Sequence, residues 1–252
     1  MKSQRHHGSL SPADLVTIVN GALGFLAVVF LVRYWARNPA ELGNGIQTYE
    51  VKLAGLLIGL AAICDVADGI VARFTWSSDL GDHLDGMADA ISFGVAPALL
   101  IAVAGLQYSS LTSAFFLAAA TTHVVAVVVR LARHAVAPHS PADGFVGITS
   151  PLAALAVLGA IGIAVPPVAT VAALLALSAL MLGGFAFPHQ SRSGVMVTIV
   201  GCFCVAIATA AGLVSVRFAG ALSLFVTLAI PITARVATVF GRPASLPERG
   251  TP

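Results

Sequence analysis

Eight stretches of apolar residues, near 15–33, 51–72, 85–106, 111–132, 150–165, 167–187, 194–214 and 217–240, alternate with short polar segments along the 252-residue chain. Most approach twenty residues, the length a helix rising 1.5 Å per residue needs to cross the hydrocarbon of a bilayer. In lipid every backbone N–H and C=O must be paired within the protein, so these stretches are predicted as transmembrane helices. The fifth is short and ends at Pro166-Pro167, where it can fuse with the sixth; we count eight. The predicted fold class is all-α, a polytopic membrane helix bundle over residues 15–240, flanked by an N-terminal segment 1–14 and a tail 241–252. Polar sequence is confined to "RYWARNPAELGNGIQTYE", "HAVAPHSPADGFVGI", one acidic stretch and short turns, with no internal repeat.

Composition agrees with that pattern. The chain is 58% hydrophobic and 10% charged, against about 25% charged in soluble domains. A net charge of +2 says little about partners, and no basic run suggests nucleic acid, so no nucleic-acid partner is expected. Cys64, Cys202 and Cys204 lie in apolar surroundings and read as packing residues. No small-residue cleavage site follows the first apolar run, so no removable signal peptide is expected. With eight spans and both termini inside, nine Lys and Arg fall on the cytoplasmic side and four outside. The positive-inside rule therefore places the acidic stretch at the cytoplasmic face.

That stretch, "CDVADGIVARFTWSSDLGDHLDGMADA", holds six of the 11 acidic residues of the chain. Asp65 and Asp68 are three apart, which puts them on one helical face; Asp82, Asp85 and Asp89, spaced by three and four, share another. Two antiparallel helices joined at "FTWSSDLG" can point these faces at each other. Uncompensated, such a cluster at a membrane border costs several kcal/mol or protonates. Carboxylate oxygens are the hard ligands of Mg²⁺ and Mn²⁺, so Asp65, Asp68, Asp85 and Asp89 are candidate metal ligands. Asp79 reads as a solvated helix cap, and Asp82 is either a member of the face or a first-turn partner of the helix dipole. Gly69 leaves room for close approach to the backbone, and Arg73, one turn beyond Asp68, offers a fork suited to phosphate. Acids for metal, an arginine and an open glycine suggest a diphosphate substrate, in which two metals stabilise the attacking and leaving oxygens.

The spacing Asp65-x2-Asp68-Gly69-x2-Ala72-Arg73-x7-Gly81-x3-Asp85-x3-Asp89 resembles the signature of the CDP-alcohol phosphatidyltransferases, with one residue fewer between arginine and glycine. "VTIVNGALGF", "ISFGVAPAL", "RLAR" and "FVGITSPLAA" are similar, in that order, to the phosphatidylserine synthase branch. The resemblance implies a six-helix core with extra C-terminal helices. It implies an integral membrane enzyme, in the plasma membrane of a prokaryote, that moves a phosphatidyl group from CDP-diacylglycerol to L-serine and releases CMP. It also implies a homodimer among membrane lipids, and two divalent ions, Mg²⁺ or Mn²⁺, per site. Asp65, Asp68 and Asp85 would hold the first ion, and Asp65, Asp85 and Asp89 the second. Asp89 would act as base on the hydroxyl. Gly69, Arg73 and Ser78, with Ala72 and Gly81 in the same signature, would hold the CDP moiety, approached by Asn20 from the first helix.

Arg130 and Arg133, three apart near the end of the fourth helix, are either topology anchors or a site for the serine carboxylate or lipid phosphate. His123 reads as a packed polar residue. The same chemistry with a CDP-ether lipid, or with glycerol phosphate or inositol phosphate as acceptor, is the alternative within the family. A polyprenyl transferase would carry its acidic motifs on separate helix pairs, and an ion transporter would place its acids at the midplane.

Overall fold

In a computed structural model of the chain, the described residues are 10–36, 48–76, 78, 80–136, 145–146, 148–163, 166–183 and 186–187, with 201, 204, 207, 215 and 221 singly. They form six helices: α1 Pro12–Trp35, α2 Tyr49–Phe74, α3 Gly81–Gly105, α4 Ser110–Val136, α5 Ser150–Gly162 and α6 Pro167–Leu182. The first four, with 24, 26, 25 and 27 residues, are long and apolar enough to cross a membrane. The protein is an all-α integral membrane bundle. The predicted spans at 194–214 and 217–240 and the tail lie outside the described residues, apart from the single positions above.

Two helix boundaries have identifiable chemical causes. The first helix begins at Pro12 rather than at residue 15, because Ser11 and Asp14 form a reciprocal capping box. The Asp14 N–H donates to Ser11 Oγ at 3.1 Å, and the Ser11 N–H donates to Asp14 Oδ2 at 2.6 Å. Pro12 suits the first turn, where its missing N–H costs nothing. The fifth and sixth stretches do not fuse, since α5 ends at Gly162 and α6 starts at Pro167. Proline at a helix start fixes its own dihedral and disfavours helix in the residue before it.

α1 and α2 pack along each other, and α3 lies against α1 at its start and against α4 further on. α5, 13 residues and about 20 Å long, is buried on nearly all sides, which explains an apolar sequence without a polar face. Around it Ile58, Phe93, Ile101, Phe116 and Leu174 form a continuous core. The Phe145–Val146 and Ala186–Phe187 pairs make a two-residue antiparallel bridge between the segment before α5 and the one after α6.

α3 is not uniform. Gly81–Asp89 and Ala96–Gly105 are regular, and between them Ala90–Val95 is a π-turn. The buried face of α1 reads Ala13, Thr17, Asn20, Gly24, Ala27, Leu31 and Tyr34, a stripe spaced by four and three that is mostly small. Small residues let α2 and α3 come close, and the two polar members of the stripe face the acidic residues.

Candidate metal centre

α2 presents Asp65 and Asp68 on a stripe continued by Gly69 and Ala72, and α3 presents Asp85 and Asp89 one turn apart. Carboxylate oxygens of Asp65, Asp68 and Asp85 all lie within 4.8 Å of one another. Asp89 is buried, and its carboxyl is in hydrogen-bonding contact with that of Asp65. Two carboxylates at 4.8 Å repel by about 3 kcal/mol at an effective dielectric of about 20. Fully ionised, as metal ligands must be, the four acids would carry four negative charges, and Arg130, a basic group within electrostatic reach of Asp65 and Asp89, returns one. An all-oxygen donor set with that excess charge fits hard divalent cations. Asp82 is exposed in the first turn of α3, where it complements the helix dipole, and it is not in the cluster of Asp65, Asp68 and Asp85. Asp79 lies outside the described residues.

The start of α3, Gly81–Asp89, packs mainly on α1 rather than on α2. Both acidic helices are thus braced by α1. Thr17 Oγ1 donates to Asp68 Oδ2 at 2.7 Å, and Asn20 Nδ2 donates to Asp89 Oδ1 at 3.2 Å. Hydrogen bonds to ionised acceptors are among the stronger ones, and these two hold one oxygen of each carboxylate against α1. Sequence reasoning had no role for Thr17. Its signal was a polar residue inside a stripe of small buried positions, one turn before Asn20.

Gly69, Ala72 and Arg73 are exposed on α2, and a Cβ placed on Gly69 would meet nothing within 4 Å. The helix surface beside the acids is therefore open. Gly81 differs, since its Cβ would stand 3.1 Å from Asp14 Oδ1 and 3.7 Å from Ser78 Oγ. It permits the close approach of the start of α3 to the start of α1. Ser78 Oγ and Asn20 Oδ1 are buried and find no hydrogen-bond partner among the described residues. Buried polar atoms without a protein partner are suited to a polar ligand.

The structure separates the two arginines of α4. Arg130 Nη1 donates to Ser150 Oγ at 2.7 Å, and Arg130 Nε is buried with no partner among the described residues. Arg133 is exposed and donates through Nη1 to the carbonyl oxygen of Leu182 at 2.8 Å, where it satisfies the C-terminus of α6. Arg130 belongs to the acidic centre by position; Arg133 ties two helices. Cys64 is half-buried on α2 beside the acids and Cys204 is exposed, both as free thiols, while Cys202 lies outside the described residues.

The model of the CDP-alcohol phosphatidyltransferase family matches residues 10–207, which include α1 to α6 and all four acids. The chain belongs to the CDP-alcohol phosphatidyltransferase family. Among its relatives, the CDP-diacylglycerol–serine O-phosphatidyltransferase of Saccharomyces cerevisiae is 36% identical over 110 residues, 42% of this chain and 37% of the relative. The protein of that name from Methanocaldococcus jannaschii is 30% identical over 152 residues, 60% of this chain and 71% of the relative. An archaetidylserine synthase from Methanothermobacter thermautotrophicus is 29% identical over 147 residues, 57% of this chain and 54% of the relative. The match spans little more than a third of the yeast relative and of the Mycobacterium leprae relative, 37% of each.

Proposed function

We propose that this family member transfers a phosphatidyl group from CDP-diacylglycerol to the hydroxyl of L-serine, giving phosphatidylserine and CMP. The observation that carries the reading is the convergence of Asp65, Asp68 and Asp85 within 4.8 Å, with Asp89 beside Asp65. Serine as acceptor is supported by the names of the yeast and methanogen relatives. An ether-linked CDP-lipid is the second reading, favoured by the relative named archaetidylserine synthase.

In this proposal Asp65, Asp68, Asp85 and Asp89 hold two divalent cations, Mg²⁺ or Mn²⁺. When bound, the cations draw charge from the diphosphate and stabilise the departing phosphate oxygen. Gly69 and Ala72 let the diphosphate lie along α2, Arg73 pairs with its oxygens, and Ser78 and Gly81 border the nucleotide. Asn20 fixes Asp89 through Oδ1. The remaining oxygen of Asp89 accepts the proton of the serine hydroxyl as the serine oxygen attacks the β-phosphorus. A P–O bond to serine forms, the P–O bond to CMP breaks, and CMP leaves with the electron pair. Arg130 receives the carboxylate of the acceptor, because its Nε is buried near Asp89 without a partner among the described residues. In the same reading the excess of Lys and Arg on one side supports a centre at the cytoplasmic face, and the family resemblance supports a prokaryotic plasma membrane and a homodimer.

The test uses purified protein, CDP-diacylglycerol, Mn²⁺ or Mg²⁺, and a panel of labelled alcohols including serine, glycerol phosphate and inositol phosphate. Products are identified by mass. Phosphatidylserine with stoichiometric CMP is expected; a product from another alcohol alone would overturn the serine assignment. An ether-linked CDP-lipid used in preference to the ester form would establish the second reading.

A further inference from the structure

We propose that His123 and Ser92 are positioning residues for the metal-binding face of α3, acting through the π-turn Ala90–Val95. The inference rests on the metal-binding reading above. The π-turn starts at the residue after Asp89, and in it the Ala96 N–H returns to the Ile91 carbonyl, five residues back. Its cause is in the sequence. Pro97 has no N–H, and its ring crowds the carbonyl four residues earlier, that of Phe93. A carbonyl orphaned inside a membrane bundle needs another donor. His123 of α4, almost fully buried, places Nε2 at 2.9 Å from the Phe93 oxygen. A carbonyl only accepts, so Nε2 carries the proton.

The opposite side of the turn is tied to α1. Ser92 Oγ donates to the Asn20 carbonyl oxygen at 2.9 Å, and the side chain of the same Asn20 donates to Asp89 Oδ1. The turn is also wedged between glycine contacts. A Cβ on Gly24 would stand 2.6 Å from Ser92 Cα, and one on Gly94 would stand 3.3 Å from Val127 Cγ1. α1 and α4 thus grip the turn from two directions.

The consequence is rotational. A π-turn inserts one residue, which turns everything beyond it by about 100° relative to a continuous α-helix. Asp85 and Asp89 lie on one side of that insertion; Leu100, Ile101 and Ala104, buried in the core, lie on the other. Only with the extra residue do the acids face the centre while the far half keeps its core face. Relaxation to a regular helix would turn one of the two away. A histidine that merely satisfied a carbonyl would stabilise the fold without setting this register.

The two roles separate in a metal titration of the full-length protein in detergent without CDP-lipid. Free Mn²⁺ is read by electron paramagnetic resonance and thermal stability is measured on the same samples. His123→Leu should weaken Mn²⁺ binding by about tenfold or more, whereas His123→Gln, whose amide can reach the same carbonyl, should stay within about threefold. In the double variant His123→Leu with Pro97→Ala, an alanine N–H at 97 can pair with the Phe93 carbonyl along a regular helix. Thermal stability should then recover while Mn²⁺ affinity stays about tenfold low. Folded His123→Leu that binds Mn²⁺ as the parent does, or a double variant in which affinity returns with stability, would overturn the proposal. Should His123→Leu fail to fold, His123→Gln and the double variant decide by the same criteria. A parent that binds no Mn²⁺, or binds it equally after Asp65→Asn, would instead sink the metal-binding reading and this inference with it.

Discussion

Thr17→Val tests whether α1 prepares the acidic centre or only packs beside it. Valine keeps the β-branched shape in a buried position, so the change removes the hydroxyl and little else. The lost bond is the 2.7 Å donation from Thr17 Oγ1 to Asp68 Oδ2. A hydrogen bond to a charged group contributes about 1.5–3 kcal/mol net, which corresponds to about 10- to 150-fold in an equilibrium. If that bond holds Asp68 in the orientation a cation needs, the cost falls on metal affinity. Half-saturating Mn²⁺ for CMP release should then rise by about tenfold or more, with kcat recovered at saturating metal. Thr17→Ser retains the donor and should behave as the parent. Thr17 also reaches the Ala13 carbonyl at 3.2 Å, so a small stability loss is expected in the valine variant alone. An unchanged Mn²⁺ requirement in folded Thr17→Val, or a fall in kcat that excess metal does not restore, would refute the reasoning.

Three further outcomes follow from the same geometry. Asp65→Asn and Asp85→Asn should each abolish CMP release while the protein still inserts and purifies as a folded species; near-normal activity of either at saturating metal would disprove a shared centre. Gly69→Leu should raise the KM for the CDP-lipid strongly without loss of stability, because its side chain enters open space, and Arg73→Lys, which loses the bidentate fork, should raise it severalfold. An unchanged KM in both would remove the diphosphate from this face of α2. Arg130→Gln should raise the serine KM by about tenfold or more and leave the CDP-lipid KM nearly unchanged, with a smaller effect on serinol, which lacks the carboxylate. Arg133→Gln should change neither KM and should cost only stability, since its partner is the end of α6; equal losses for serine and serinol in Arg130→Gln would show that the arginine does not hold the carboxylate.

Much was legible before any coordinates, and the reason is the solvent. Lipid forbids unpaired backbone, so apolar length alone announces the helices, and it makes acids so costly that six gathered in one stretch mark a site. Spacing by three and four then puts Asp65 with Asp68, and Asp85 with Asp89, on single faces. The start of α1 was also readable, in Ser11, Pro12 and Asp14, but a count of apolar residues passes over capping chemistry. What one-dimensional pattern does not contain is which other helix backs a face. That Thr17 and Asn20 of α1 brace two different acidic helices depends on how three helices cross. The division of labour between Arg130 and Arg133 is of the same kind. Three residues apart, the two lie within about 60° of each other around the helix, and only the placement of α5 and α6 gives one Ser150 and the other the Leu182 carbonyl as partner. The π-turn lies between these cases. Pro97 removes the donor that the Phe93 carbonyl would have in a regular α-helix, but only the packing of α4 supplies His123 to receive it. Local chemistry thus determined the helices and the acids; the crossing of distant helices decided which side chains hold those acids in place.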